Sequence, residues 1–148
     1  MYYKDLTPYE YYLPFKLPNV LNVGWLEKDF DFAKGSTSRE LVEKLCEILM
    51  KEGVFESRVN QIRGVHPCNL CEAHKFQSPF IGSCELWIPS QEAEMYFAAP
   101  SLVIHYIQEH NYCPPKNFVE SVLQLDLERR FNGQELYDDL TKAHSSGE

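Results

Sequence analysis

The sequence predicts an α+β fold in which a small antiparallel sheet, a hairpin at about residues 84–98, packs with three to four helices. Three observations carry that expectation. Residues from about Thr37 to Lys51 place apolar side chains at helical spacing. Cys84-Glu-Leu-Trp-Ile88 and Glu94-Met-Tyr-Phe-Ala98 alternate as strands on either side of a short turn. Pro100 and Pro115 each open a further helix-like run. With 148 residues, of which 44% are apolar and 14% aromatic, the chain is about one domain long, and a domain of that size buries roughly 68–70% of its unfolded surface. Such a core needs no disulfide staples, and the composition is too apolar for a disordered tail.

The first eighteen residues stand apart. Tyr2, Tyr3, Tyr9, Tyr11 and Tyr12, five of the nine tyrosines, lie there with Pro8, Pro14 and Pro18, whose spacing forbids a useful helix. Residues 1–18 read as an extended arm laid across the domain by its rings with the hydroxyls left in water, the alternative being an arm that binds a partner. Val20 to Leu26 reads as a strand, and Glu27 to Gly35 as a charged turn. The helix from Thr37 to Lys51 has capping-box spacing in Thr37-Ser38-Arg39-Glu40, a stripe of Leu41, Leu45, Ile48 and Leu49, and a stop at Gly53. Cys46, at the edge of that stripe, reads as a small buried thiol. Ile62 to Val65 is a brief strand, and the residues Pro89 to Ala93 join the two hairpin strands.

A helix from Ser101 to His110 ends at Asn111. The next buries Phe118, Val119, Val122 and Leu123, with Arg129 and Arg130 compensating its C-terminal dipole. A last short helix starts after Asn132, with Glu135 in capping position and Leu136 and Leu140 facing inward, and 144–148 form a frayed tail. No repeat or linker interrupts the chain, so 1–148 reads as a single domain.

The formal charge of −8 disfavours a nucleic-acid backbone, which needs Lys and Arg to displace counterions, and suits a basic protein partner. No Lys or Arg occurs between Phe76 and Pro115, where Glu85, Glu92, Glu94 and Glu109 all lie. Without a run of about 18 apolar residues or a signal-peptide start, the chain reads as cytoplasmic and without a membrane partner. The five cysteines are then thiols or metal ligands rather than a disulfide framework. The local signatures Gly-x-Ser-x-Gly, a phosphate-cradling Gly-rich loop and His-Glu-x-x-His are absent, which weighs against an enzyme.

One constellation carries chemistry. Cys68-x-x-Cys71 brings two thiolates to about the separation that tetrahedral zinc requires, and His105 with His110 has a spacing from which two imidazoles complete the shell. The expectation is a structural Cys/His zinc site. Helical geometry objects, because residues five apart are about 140° apart around an ideal helix. His110 precedes the Asn111 and Pro114 break, where a loosened last turn can swing its ring inward; failing that, His66 or Cys113 substitutes. The competing readings are a redox-active or merely buried thiol pair, a disulfide, and a hydrogen-bonded core histidine at 105. His74 and His144 read as solvated.

The motifs Arg63-Gly64-x-His66-x-Cys68-x-x-Cys71, Tyr96-x-Ala98-Ala99-Pro100 and His105-Tyr106-Ile107-x-x-His110-x-Tyr112-x-Pro114-Pro115-x-x-Phe118 together resemble the pattern of a family of small bacterial single-domain proteins of unknown function. The likeness runs from Arg63 to Val122, with Gly24-Trp25-Leu26 joining it. It implies a bacterial cytoplasmic protein with a metal site and brings no reaction. The functional expectation is a binding or regulatory domain with structural zinc. An acidic, toxin-neutralising immunity protein is the alternative, and a zinc- or thiol-dependent enzyme the third.

Overall fold

The hairpin is the centre of the molecule. The computed structural model describes residues 2–10, 13–61, 68, 70–71 and 84–146, with 144–146 described by backbone alone. Within it, β5 (Glu85–Pro89) and β6 (Tyr96–Pro100) pair antiparallel with Trp87 opposite Ala98. They belong to a five-stranded sheet of order β1-β2-β6-β5-β4, where β1 is Pro8–Tyr9, β2 Leu17–Asn22 and β4 Arg58–Val59. The sheet is larger than the expected hairpin and is mixed, because β2 runs parallel to β6. A second small sheet pairs β3 (Phe55–Glu56) with β7 (Phe131–Asn132).

Every residue of β5 is buried, so its alternation does not separate a core face from a wet face. Leu86 and Ile88 enter one apolar cluster with Leu41, Leu45, Ile48, Phe118 and Val122, which come from α1 (Arg39–Met50) and α3 (Lys116–Gln124). Trp87 enters another with Tyr9, Trp25, Val59 and Ala98, flanked by Tyr137 and Leu140 of α4 (Gly133–Ser146). Helices α1, α2 (Val103–His110) and α3 thus cover one side, and the N-terminal arm with α4 covers the other. Among the described residues no helix is long and apolar enough to cross a membrane.

The arm packs on its own sheet. Tyr9 is fully buried and its hydroxyl donates to Glu85 Oε1 at 2.7 Å, whereas the sequence left the tyrosine hydroxyls in water. Tyr3 meets Trp25 edge-on and Tyr2 stacks on Phe30. Tyr11, Tyr12 and the expected strand at Ile62 to Val65 lie outside the described residues.

Several expectations shift by register. Strand β2 starts three residues before Val20 and ends before Gly24. Pro18 is tolerated because pairing with β6 begins only at Val20. Gly24, two residues past the strand, turns the chain at φ +77°, and a Cβ there would stand 2.7 Å from Val103 Cγ2. Ser38, not Thr37, caps α1, its hydroxyl accepting from the Leu41 N–H at 3.2 Å. Cys46 is exposed rather than buried: it follows Leu45 by one residue, a rotation of about 100° out of the apolar stripe. Pro100 closes β6 instead of opening α2, and the Ser101 N–H extends the ladder to the Cys84 carbonyl. Leu123 is exposed, and α3 ends at Gln124, too early for Arg129 and Arg130 to meet its C-terminal dipole. The last helix starts as expected, with Asn132 Oδ1 accepting from the Glu135 N–H at 2.9 Å, but it continues to Ser146.

Two predictions follow from this packing. Gly53 also has positive φ, at +91°, but nothing lies within 4 Å of where its Cβ would stand. Gly53→Ala is expected to cost about 1–2 kcal/mol from backbone strain alone, and Gly24→Ala about 1–3 kcal/mol more because the new methyl meets Val103; denaturant midpoints of the two variants measure the difference. The second concerns Glu85, which is 3% exposed and accepts from Tyr9, Trp87 Nε1 and Asn60 Nδ2. Burial pushes its carboxyl above the ordinary 4.5, with those three donors pulling the other way. A folded-state value above the unfolded one means the native protein holds the proton longer, so stability falls as pH rises from about 4.5 through the folded value. The stability of the wild type relative to Glu85→Gln should therefore decline over that rise, measured by urea unfolding from pH 4 upward.

Candidate metal centre

Helix α2 supplies two imidazoles from a largely buried element. Val103 to Ile107 are all buried, His105 among them at 3% exposure, while His110 at the C-terminal end is half-buried. The end of the helix departs from α geometry. The N–H groups of Asn111 and Tyr112 both turn to the Tyr106 carbonyl, five and six residues back rather than the regular four. Asn111 takes the left-handed conformation at φ +55°. A turn of this wider, π-type pitch brings residues five apart toward one face. The two rings accordingly stand with centroids 5.2 Å apart, which removes the objection raised by an ideal helix.

Cys68 and Cys71 complete the group. Cys71 Sγ lies 3.2 Å from His105 Nε2 and 3.4 Å from His110 Nε2, and Cys68 Sγ lies 3.5 Å from His110 Nε2. One donor atom from each of the four residues falls within 4.8 Å of every other. For zinc, with bonds of about 2.3 Å to sulfur and 2.0–2.1 Å to nitrogen, a regular tetrahedron has sulfur-to-nitrogen edges of about 3.5 Å. The three separations match such edges, so the cluster is geometrically compatible with coordination of a metal ion. The Leu70 N–H donates to Cys68 Sγ at 3.3 Å, orienting one sulfur, and Cys68 and Leu70 pack on the core cluster beneath.

The alternates stand elsewhere. Cys113 Sγ faces Gly35 and donates weakly to the Pro114 carbonyl at 3.9 Å, outside the four-residue group. His66 and His74 lie outside the described residues.

Burial pushes the Cys68 thiol up to about 11, Leu70 and Cys71 N–H groups opposing and Cys71 itself adding to the rise. It pushes both imidazoles below their ordinary 6.5, with His110 adding to the effect at His105 and Glu109 opposing at both. Without a cation this environment therefore disfavours the Cys68 thiolate and both imidazolium forms. A thiol nucleophile paired with an imidazolium needs the opposite directions, whereas a metal ligand set needs neutral imidazoles and a positive centre to draw off the thiol protons.

Sequence reasoning missed the parts that set the helix end. Tyr112 is fully buried and its hydroxyl donates to Asp5 Oδ2 at 2.7 Å. Asp5 Oδ1 accepts from the Gly24 N–H at 3.0 Å. No local pattern announces a contact between residues 107 positions apart. The N–H donated by Leu70 is likewise backbone, invisible in residue identity.

The family model described as Domain of unknown function (DUF7919) matches residues 1–123, and the chain belongs to that family. No curated protein and no solved structure matches it. The matched span takes in the arm, the five-stranded sheet and all four residues of the cluster, and stops before α4.

With its thiol at about 11, Cys68 in chelator-treated protein should be about one part in a thousand thiolate at pH 8. Its alkylation rate, followed by mass spectrometry of the Cys68 peptide, should climb about tenfold per pH unit from 8 to 10. A rate already saturated at pH 8 would contradict the burial effect.

Proposed function

We propose that this chain is a zinc-stapled binding or regulatory domain in which Cys68, Cys71, His105 and His110 hold a structural zinc ion. The observation that carries the reading is the convergence of two thiols and two imidazoles within 4.8 Å, at sulfur-to-nitrogen distances suited to a tetrahedral shell. Borderline-soft nitrogen and sulfur donors in that arrangement favour zinc over magnesium or calcium, which take oxygen ligands. Four protein donors fill the shell and leave no position for an activated water, so the role is to fasten rather than to catalyse. The two cysteines tether their segment to α2, and the helix is itself anchored by the buried side chains of Val103 to Ile107.

The broader role we assign is contact with a basic protein. Gln91, Glu92 and Glu94 are exposed at the turn of the central hairpin, and Glu109 is exposed on α2. With a net charge of −8 these exposed carboxylates favour encounter with a partner of opposite sign.

Elemental analysis of the chain purified without chelator should return one zinc per chain, and Cys68→Ala and His105→Ala should each lose it. Zinc removal should lower the melting temperature and open Cys68 and Cys71 to alkylation. Zinc binding must release the Cys68 proton at neutral pH, because that thiol titrates at about 11. Affinity should then rise about tenfold per pH unit between 6 and 8 from this group alone, measured by competition with a chromophoric chelator. Metal-free protein whose two thiols alkylate freely before any chelation would sink the reading.

A further inference from the structure

The wide last turn of α2 is held from outside the helix. Its Asn111 carbonyl accepts from the Gly35 N–H at 3.0 Å, and the Cys113 N–H donates to the Ala33 carbonyl at 2.9 Å. These backbone bonds fix the chain beyond the helix, and between them lies Tyr112, the fully buried side chain two residues after His110. The Tyr112 hydroxyl reaches Asp5, and Asp5 uses its other oxygen on Gly24. That second contact sits where the chain leaves β2 with positive φ and lies against the Tyr112 ring, 3.5 Å from a Gly24 Cβ position. One carboxylate of the N-terminal arm therefore bridges the end of β2 and the end of the helix that carries both imidazoles.

We propose that Asp5, acting through Tyr112, is a positioning residue for His110, so that docking of the N-terminal arm and binding of metal at the Cys/His cluster are coupled. This rests on the zinc reading of that cluster. The chain of contacts is short. Asp5 sets the depth of the Tyr112 ring, Tyr112 donates its N–H to the Tyr106 carbonyl at 3.2 Å, and that bond defines the wide turn on which the His110 position depends. Coupling of this kind is reciprocal: an arm that favours the metal-binding geometry is itself held more firmly when metal is bound. Anything that draws the arm off the sheet would then loosen the metal.

The test uses the full chain, stripped of metal and titrated with zinc against a chromophoric chelator, in the wild type and in Asp5→Ala, Tyr112→Phe and Asp5→Asn. Asp5→Ala and Tyr112→Phe should weaken zinc binding by at least about fivefold, the lower end of typical site-to-site couplings. Asp5→Asn keeps one oxygen for the Gly24 N–H but turns the acceptor of the Tyr112 hydroxyl into an amide donor, and should weaken binding about as much as Tyr112→Phe. In the wild type, zinc should slow hydrogen exchange at the arm amides of Tyr3 and Leu6, which donate to Trp25 and Asn22. A clasp that is merely structural would lower the melting temperature equally with and without zinc and leave the affinity unchanged; that result overturns the proposal. Asp5→Asn that binds zinc as tightly as the wild type would show that the acceptor of the Tyr112 hydroxyl does not position His110, and would overturn it as well. Should Asp5→Ala not fold, Tyr112→Phe decides, since it keeps the buried ring and removes only the hydroxyl. A wild type that binds no zinc would overturn the reading of the cluster itself, whereas a wild type that binds zinc beside unaffected variants would overturn only the coupling.

Discussion

The strand β5 is buried on both faces, and that constraint organises the rest of the molecule. A strand with Leu86 and Ile88 on one side and Trp87 on the other needs two covers. Helices α1, α2 and α3 provide the first. The second is assembled from the arm and α4, whose rings pack edge-on around Trp87: Tyr9 and Tyr137 stand 5.2 and 5.5 Å from it. Glu85 lies within this second cover, and its desolvation is offset by three donors, one of them the Tyr9 hydroxyl. The arm is thus part of the core, and its path across the sheet carries Asp5 to the end of α2.

What was legible in the sequence was local. The stripe Leu41, Leu45, Ile48 and Leu49 specifies α1 because one helical period contains its own signal. The hairpin is read from alternation across one turn, and Cys68 with Cys71 from a spacing that a single turn satisfies. What was illegible depends on partners distant in the chain. Nothing in Leu17 to Asn22 says that its neighbour is a parallel strand near residue 97. Nothing near Tyr9 announces Glu85, 76 positions away. Cys46, at the edge of that stripe, reads as buried yet is exposed, because on a half-exposed helix one residue's rotation is the difference between core and solvent. Arg129 and Arg130 were assigned to a helix end that lies five residues earlier, because dipole compensation is a weak term that does not by itself set a boundary.

The cluster was legible in its residues and not in its geometry. Spacing nominated Cys68, Cys71, His105 and His110, yet five residues on an ideal helix set two imidazoles on different faces. The conflict is resolved by a departure from regular structure, the wide turn closing on the Tyr106 carbonyl. Local rules fail most often where a fold serves a site, and a widened helical turn is a frequent form of that failure. A sequence that violates helix periodicity at two candidate ligands is therefore informative, because the violation locates the turn that must deform.

The arrangement also explains why the donors arrive as two pairs. Cys71 and His105 are 34 positions apart, and a cross-link closing a loop of that length is worth about 3–4 kcal/mol in the chain-entropy account. Drawing both thiols from one turn and both imidazoles from one helix leaves a single long closure to be made; four separated donors would require three. In the proposed zinc site the helix half of the shell rests on the buried side chains of Val103 to Ile107, and the metal would fasten the cysteine pair to it. The Leu70 N–H on Cys68 Sγ orients one sulfur within its own turn, which lowers the entropy that ordering this side chain would cost. On the proposed reading, affinity depends on the four donors and also on how firmly the end of α2 keeps His110 facing Cys71, which brings Tyr112 and Asp5 into the control of the site.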